Sequence, residues 1–329
     1  MPHLVILATG GTIAGTAETG SGVGYAAGAL APDTLVAAVP QLAALARITT
    51  EPVAAIGSQD MDETVWRRLA ARIAALDADG GGDGGVDGIV ITHGTDTLEE
   101  TAFFLNCVLA PRIPVVLTGA MRPASDPHPD GPDNLLQAAR VALAPDTAAH
   151  GIVAVLHGEI HSATDVTKLH TLALDAFASP HRGALGRIAG GEVVFHAPPA
   201  RRHPLLALPA QALPQVAILY AHAGMGAGMV EAARALGARG LVLAGMGGGN
   251  APKGVLAALA AAVAAGSPVV RASRLPAGPV LPRREVDDEA FGFVPAQDLN
   301  PVRARLLLQL LLAHGIVRPQ DLAPWFASP

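Results

Sequence analysis

Leu4-Val5-Ile6-Leu7-Ala8-Thr9-Gly10-Gly11-Thr12-Ile13-Ala14-Gly15 runs from an apolar strand directly into a glycine-softened turn that presents hydroxyls. Far along the chain, Gly88-Ile89-Val90-Ile91-Thr92-His93-Gly94-Thr95-Asp96-Thr97 repeats that order. Short apolar runs alternating with longer helical patterns predict a mainly parallel sheet. Ligands of such open sheets bind outside the carboxyl ends of the strands, so both turns belong to one crevice. Two threonine hydroxyls and a carboxylate then face the same small ligand, which points to nucleophilic acyl transfer.

The glycines have a rival reading as a phosphate cradle. Gly10-Gly11-Thr12-Ile13-Ala14-Gly15 places Thr12 where a dinucleotide fingerprint needs its second glycine, and no segment spells a phosphate loop with its Lys-Ser/Thr ending. Gly224-Met225-Gly226-Ala227-Gly228 follows the run Val216-Ala217-Ile218-Leu219-Tyr220 but has only part of the fingerprint. Tight strand-to-helix turns account for all of these glycines.

The chain has 329 residues, 50% hydrophobic and 15% charged, enough for a large core and for two domains. Mean hydropathy is positive, yet the longest apolar stretch, residues 255–265, is too short to cross a bilayer. It reads as a buried or interface helix. A net charge of −6 without a dense Lys/Arg block offers no footprint for nucleic acid. Cys107, the sole cysteine, lies in a helix-like segment and predicts a buried packing role, with no intrachain disulfide. The amino terminus enters a strand without a basic n-region, which favours the cytoplasm and remains compatible with an exported mature form.

Strands are expected at 3–8, 88–92, 114–118 and 151–156, and helices at 63–76, 97–109 and 133–143. A Pro-bearing stretch at 198–214 reads as a linker, and the pattern then resumes with strands at 216–220, 240–244 and 268–271 and helices at 229–236, 252–265 and 302–313. The fold expected is α/β in two domains. The larger N-terminal domain, 1–197, has a mainly parallel sheet with helices on both faces, and the smaller C-terminal α/β domain spans 215–329. The glycine-dense run at 79–85 precedes a strand and so lies away from the chemistry.

Taken singly, the candidate site residues have ordinary explanations. Thr12 suits a turn, and its hydroxyl needs a base before it can attack. Tyr25 lies in a glycine-flanked loop of the length of an active-site lid. Thr97-Leu98-Glu99-Glu100 spells a capping box, which sets Thr95 and Asp96 at a helix amino terminus that favours an anion. Ser58-Gln59-Asp60 follows a similar strand and offers polar anchors for a carboxylate and an amine. Lys168 is an ordinary surface lysine unless it is desolvated beside Thr95. His157-Gly158-Glu159-Ile160-His161 lacks both the zincin order and the cysteines of a zinc deaminase, so its histidines read as structural.

Together, these segments resemble the bacterial L-asparaginase family, the threonine-dependent amidohydrolases that include glutaminase-asparaginases. The resemblance runs through residues 8–15, Tyr25, 57–61, 91–97, Gly119-Ala120-Met121-Arg122-Pro123, 165–168, 245–250 and 285–288. It implies that Thr12 attacks the side-chain amide of L-asparagine, helped by Tyr25, and that Thr95, with Lys168 as base and Asp96 nearby, serves proton transfer and ester hydrolysis. Ser58, Gln59 and Asp96 would hold the substrate's α-carboxylate and α-amino groups. Asn250 and Glu285 would reach the site from a neighbouring subunit of a homo-oligomer, usually a dimer of dimers. No metal or organic cofactor is implied. The chain departs from the family pattern at Gly248, where some members have Asn, and at Pro252, where some have Tyr; both positions bear on glutamine tolerance. Alternatives within the family are a glutaminase and a tRNA-linked amidotransferase subunit. Those outside it are an amino-acid binding protein and a nucleotide-dependent oxidoreductase.

Overall fold

The central strands are buried along their whole length rather than on alternate residues, as a sheet covered on both faces requires. The computed structural model describes residues 1–17, 25–26, 28–79, 85–199 and 205–327, except for the side chains of Ala17 and Tyr25. The expected lid around Tyr25, the glycine run at 80–84 and residues 200–204 of the expected linker thus lie outside the described residues. Two units are formed, Met1–Arg202 and His203–Pro329.

In chain order the first unit contains β1 (His3–Gly10), β2 (Thr16–Ala17), β3 (Tyr25–Ala26), α1 (Pro32–Ala37), α2 (Leu42–Leu45), β4 (Arg47–Ile56), α3 (Glu63–Ala78), β5 (Gly88–Thr92) and α4 (Leu98–Val108). It continues with β6 (Val115–Thr118), α5 (Gly131–Ala142), β7 (Ile152–Leu156), β8 (Glu159–Ser162), β9 (Thr167–Lys168), β10 (Phe177–Ala178), β11 (Gly186–Ala189) and β12 (Glu192–Phe195). Eight strands make the main sheet in the order β12-β11-β8-β7-β6-β5-β1-β4. From β4 to β7 all pairings are parallel, and from β7 outward they are antiparallel.

The site's location follows from that order. After β1 the chain steps outward to β4, then returns to the other side of β1 for β5 and continues in the opposite direction. The gap between the ends of β1 and β5 is therefore the topological switch point, where such sheets open a crevice. Alternate residues of the strands bury opposite faces. Leu4, Ile6, Val90, Val116 and Val153 pack in one cluster with Leu42, Leu135 and Ala138 from α2 and α5. Across the sheet, Trp66 of α3 stacks on Phe104 of α4, with ring centroids 4.9 Å apart.

The second unit contains β13 (Val216–Tyr220), α6 (Gly228–Ala235), β14 (Gly240–Gly245), α7 (Lys253–Ala264), β15 (Val269–Ser273), α8 (Asp288–Phe291), β16 (Phe293–Pro295), α9 (Pro301–Ala313) and α10 (Pro319–Phe326). Its four strands are parallel and lie in sequence order. The apolar helix expected from 255–265 is α7, which ends one residue earlier at Ala264 and buries Val255, Leu256, Leu259 and Ala262. Among the described residues no helix is long and apolar enough to cross a membrane. The fold is thus the two-domain α/β architecture expected from the sequence.

Candidate active site

Adjacent strands β4, β1 and β5 end on the turns that carry Ser58, Thr12 and Thr95. The Thr9 hydroxyl donates to the Thr92 carbonyl at 3.0 Å and ties two of those strand ends together. Gly11 has φ +80° and ψ −174°, a conformation essentially reserved to glycine. A Cβ there would overlap the Gly94 backbone, and one at Gly94 would stand 2.6 Å from Ser58 Oγ. The Gly11 and Gly94 turns thus touch through their glycine backbones, and the third turn packs on Gly94 through the Ser58 side chain. Gly11→Ala is expected to cost about 1–3 kcal/mol for the backbone alone, and more for the overlap. Urea denaturation measures this, and an alanine variant as stable as the parent would contradict the packing.

Thr12 opens a 3₁₀ turn, Thr12–Ala14, and is 7% exposed; Thr95 is 4% exposed. Lys168 Nζ donates to Thr95 Oγ1 at 2.8 Å and to Asp96 Oδ1 at 2.7 Å. The lysine is held from its backbone: strand β9 pairs with β10, and the Lys168 N–H donates to Glu99 Oε2 at 2.9 Å. Buried Asp165 steadies the same loop by accepting from the Arg182 N–H at 2.8 Å. With its side chain 18% exposed, Lys168 is not the solvated lysine its local sequence resembles.

Ser58 Oγ accepts from the Asp96 N–H at 3.1 Å, which leaves the hydroxyl's own proton to donate to an anion. The Asp96 carboxylate, 61% exposed, can meet a cation on the open side. Asp96 lies just before α4, at the positive end of the helix dipole. Gln59 is exposed beside Ser58, with Nε2 3.5 Å from Asp60 Oδ2. The capping-box expectation is corrected at one residue. Thr97 is the N-cap of α4, but its side chain makes no cap bond. Its hydroxyl instead donates to the Ser58 carbonyl at 2.7 Å, because the neighbouring turn is within reach.

Tyr25 pairs through its backbone with Ala17, and its side chain lies outside the described residues. Cys107 is fully buried, and burial pushes its thiol's pKa up, as suits a packing residue. His161 is also buried, with Nδ1 3.1 Å from Ser179 Oγ, and desolvation lowers its pKa to about 4.

In the second unit, Asn250 closes the turn after β14 through a bridge to Met246, and its Oδ1 accepts from the Ala251 N–H at 2.8 Å. The Glu285 carboxylate lies against the same turn, 3.1 Å from where a Gly248 Cβ would stand. A buried ion pair underlies both. Arg271 Nε donates to Asp288 Oδ1 at 2.7 Å and Nη2 to Oδ2 at 2.7 Å, while the guanidinium also donates to the carbonyls of Gly248 and Leu281.

Sequence reasoning missed Glu99 and Arg271 as supports of this kind. Glu99 is spelled as part of a cap, and its partner lies 69 positions away. Arg271 stands inside an apolar strand, and that was the one available signal, since a lone arginine there needs a buried partner.

Comparison with known proteins gives a consistent result. The sequence profile described as "Asparaginase, N-terminal" matches residues 3–201, and that described as "Glutaminase/Asparaginase C-terminal domain" matches 215–326. The chain is similar to a protein named L-asparaginase 2 from Escherichia coli, 42% identical over 95% of this chain and 90% of that one. It is also similar to a glutaminase-asparaginase from Pseudomonas fluorescens biotype A, 37% identical over 95% of this chain and 86% of that one. A crystal structure titled probable cytoplasmic L-asparaginase from Campylobacter jejuni superimposes with a TM-score of 0.90, at 38% identity and with both chains fully covered. With both family domains in order along its length, the chain belongs to the asparaginase family.

Proposed function

We propose that the protein hydrolyses L-asparagine to L-aspartate and ammonia through an ester on Thr12. The Thr12 oxygen attacks the side-chain amide carbon, and its proton leaves through a base. Tyr25 assists that removal, and the proton is delivered to the departing nitrogen, which leaves as ammonia. Water then attacks the ester carbon, loses a proton to the Thr95–Lys168 pair, and the Thr12 oxygen is reprotonated as aspartate departs. Ser58, Gln59 and Asp96 hold the α-carboxylate and α-amino groups. Asn250 and Glu285 of a neighbouring copy complete the site in a homo-oligomer, a dimer of dimers.

The observation that carries this reading is the contact of Lys168 Nζ with both Thr95 Oγ1 and Asp96, on a turn packed against Gly11. The 2.8 Å line from Nζ to Oγ1 can pass a proton in either direction. An amino-acid binding protein has no need of a buried hydroxyl next to a lysine. Glutamine is the competing substrate. One methylene is worth only about 1–3 kcal/mol of discrimination in an apolar pocket.

Ammonia release from L-asparagine and L-glutamine by the purified protein tests the reading, and release from neither would refute it. Thr95→Val and Lys168→Met are each expected to lower kcat by about a hundredfold or more, the usual range for loss of a positioned acid-base group. Circular dichroism should show the fold unchanged. If the variants unfold instead, these side chains are structural and the proton-transfer role falls.

A further inference from the structure

Behind the two threonine turns runs a buried polar chain that the proposed mechanism does not use. Trp66 Nε1 donates to Thr101 Oγ1 at 2.8 Å, and Thr101 Oγ1 lies 2.8 Å from His93 Nε2. The other ring nitrogen, His93 Nδ1, lies 2.7 Å from the Gly94 carbonyl oxygen. His93 and Thr101 are completely buried, and Trp66 nearly so.

The proton positions follow from the chemistry of the groups. A carbonyl oxygen only accepts, so Nδ1 carries a proton and donates it to Gly94. Burial without a counter-charge lowers the ring's pKa to about 4, so the imidazole is neutral and Nε2 is bare. An indole only donates, so Thr101 accepts from Trp66 and gives its own proton to Nε2. The bonds therefore run one way, Trp66 to Thr101 to His93 to the Gly94 carbonyl, and each step fixes the next. A satisfied chain of this kind in a dry interior is rigid.

Its end point matters because of what Gly94 lacks. Ser58 and Gly11 occupy the space where a side chain would stand, so the residue before Thr95 has to be glycine, the most flexible residue in the chain's repertoire. The Gly94–Thr95 peptide is trans and planar, so fixing the Gly94 oxygen also fixes the nitrogen and Cα of Thr95. We propose that His93 is a positioning residue: oriented by Trp66 and Thr101, it clamps the Gly94–Thr95 peptide so that the Thr95 hydroxyl meets Lys168. The catalytic part of this proposal rests on the proton-transfer role given to Thr95 and Lys168; the clamp itself does not.

The test compares His93→Leu with His93→Asn, and Thr101→Val with Thr101→Ser, by kcat and KM for ammonia release and by thermal unfolding. Asparagine places an amide N–H where Nδ1 stood, whereas leucine fills space without a donor. His93→Leu is expected to lose about ten- to a hundredfold in kcat, the scale of a sub-ångström to 1 Å misplacement, with KM changed far less. His93→Asn should regain most of that kcat although it melts at a similarly reduced temperature. Thr101→Ser should keep the activity that Thr101→Val loses. Equal kcat in His93→Leu and His93→Asn, or lowered melting with unchanged kcat, would overturn the proposal and leave His93 a packing residue. Should the parent protein release no ammonia at all, the proposed reaction fails separately. Nitrogen-15 NMR of the ring would still test the clamp: a proton on Nδ1 near neutral pH supports it, and a proton on Nε2 refutes it.

Discussion

Thr12→Ala is expected to lower kcat by at least about a thousandfold, the scale seen when a nucleophile that works as a unit with its base is removed. The fold should survive. Thr12 begins a short 3₁₀ turn whose backbone alanine can adopt, and the substitution removes one oxygen and one methyl group from a site that is 7% exposed. Thr12→Ser, which keeps the hydroxyl, should retain far more activity than alanine. Two buried threonines compete for the role of nucleophile, so rate alone is insufficient to choose between them. Acid-quenched reactions with L-asparagine, digested and weighed by mass spectrometry, should place an aspartyl adduct on the peptide that carries Thr12, most abundantly in Thr95→Val. An adduct on the Thr95 peptide, or a Thr12→Ala enzyme within tenfold of the parent, would overturn the assignment.

The second large effect is expected in the smaller unit and on stability. Arg271 and Asp288 are 0% and 6% exposed, and each would be left as an uncompensated buried charge by removal of the other. Arg271→Met or Asp288→Leu alone should therefore destabilise by about 3–5 kcal/mol, a large share of the roughly 5–15 kcal/mol that holds a typical domain. The double variant should regain part of that loss, because an apolar pair can replace a buried ion pair. Recovery should be incomplete, since the guanidinium also satisfies the carbonyls of Gly248 and Leu281, and Asp288 Oδ2 also accepts from the Arg283 N–H. Urea denaturation of the three variants closes the cycle. Single variants that cost less than about 1 kcal/mol would show the pair to be relaxed or solvated.

Elements whose apolar period was unbroken were readable in the sequence. The strands expected at 88–92 and 216–220 have those same ends in β5 and β13. The antiparallel margin was not readable: β11 and β12 alternate partly buried and exposed residues at the sheet edge, and their short runs carry no distinct signal. The site divides similarly. Thr12, Thr95 and Asp96 follow strands directly, so topology brings their turns together. Lys168 sits in a two-residue strand, and its approach to Thr95 depends on Glu99 and Asp165, contacts between distant positions that no local pattern encodes. Thr97 shows the converse, a locally sound motif overridden by a neighbouring turn.

The contact between the Gly11 and Gly94 turns also bears on the order of folding. It joins segments separated by more than eighty positions, across a parallel pairing of β1 with β5 that needs the whole intervening β4 and α3 to be made first. Non-local parallel pairing is slow, because loop-closure entropy is lost before contacts compensate for it. Lys168 arrives later still, on a strand made after β7 and β8. A growing chain therefore keeps the Thr12 and Thr95 turns apart until β5 has been made, and Lys168 from both until most of the larger unit has been synthesised, so the arrangement proposed to cleave an amide is assembled in late, long-range folding steps.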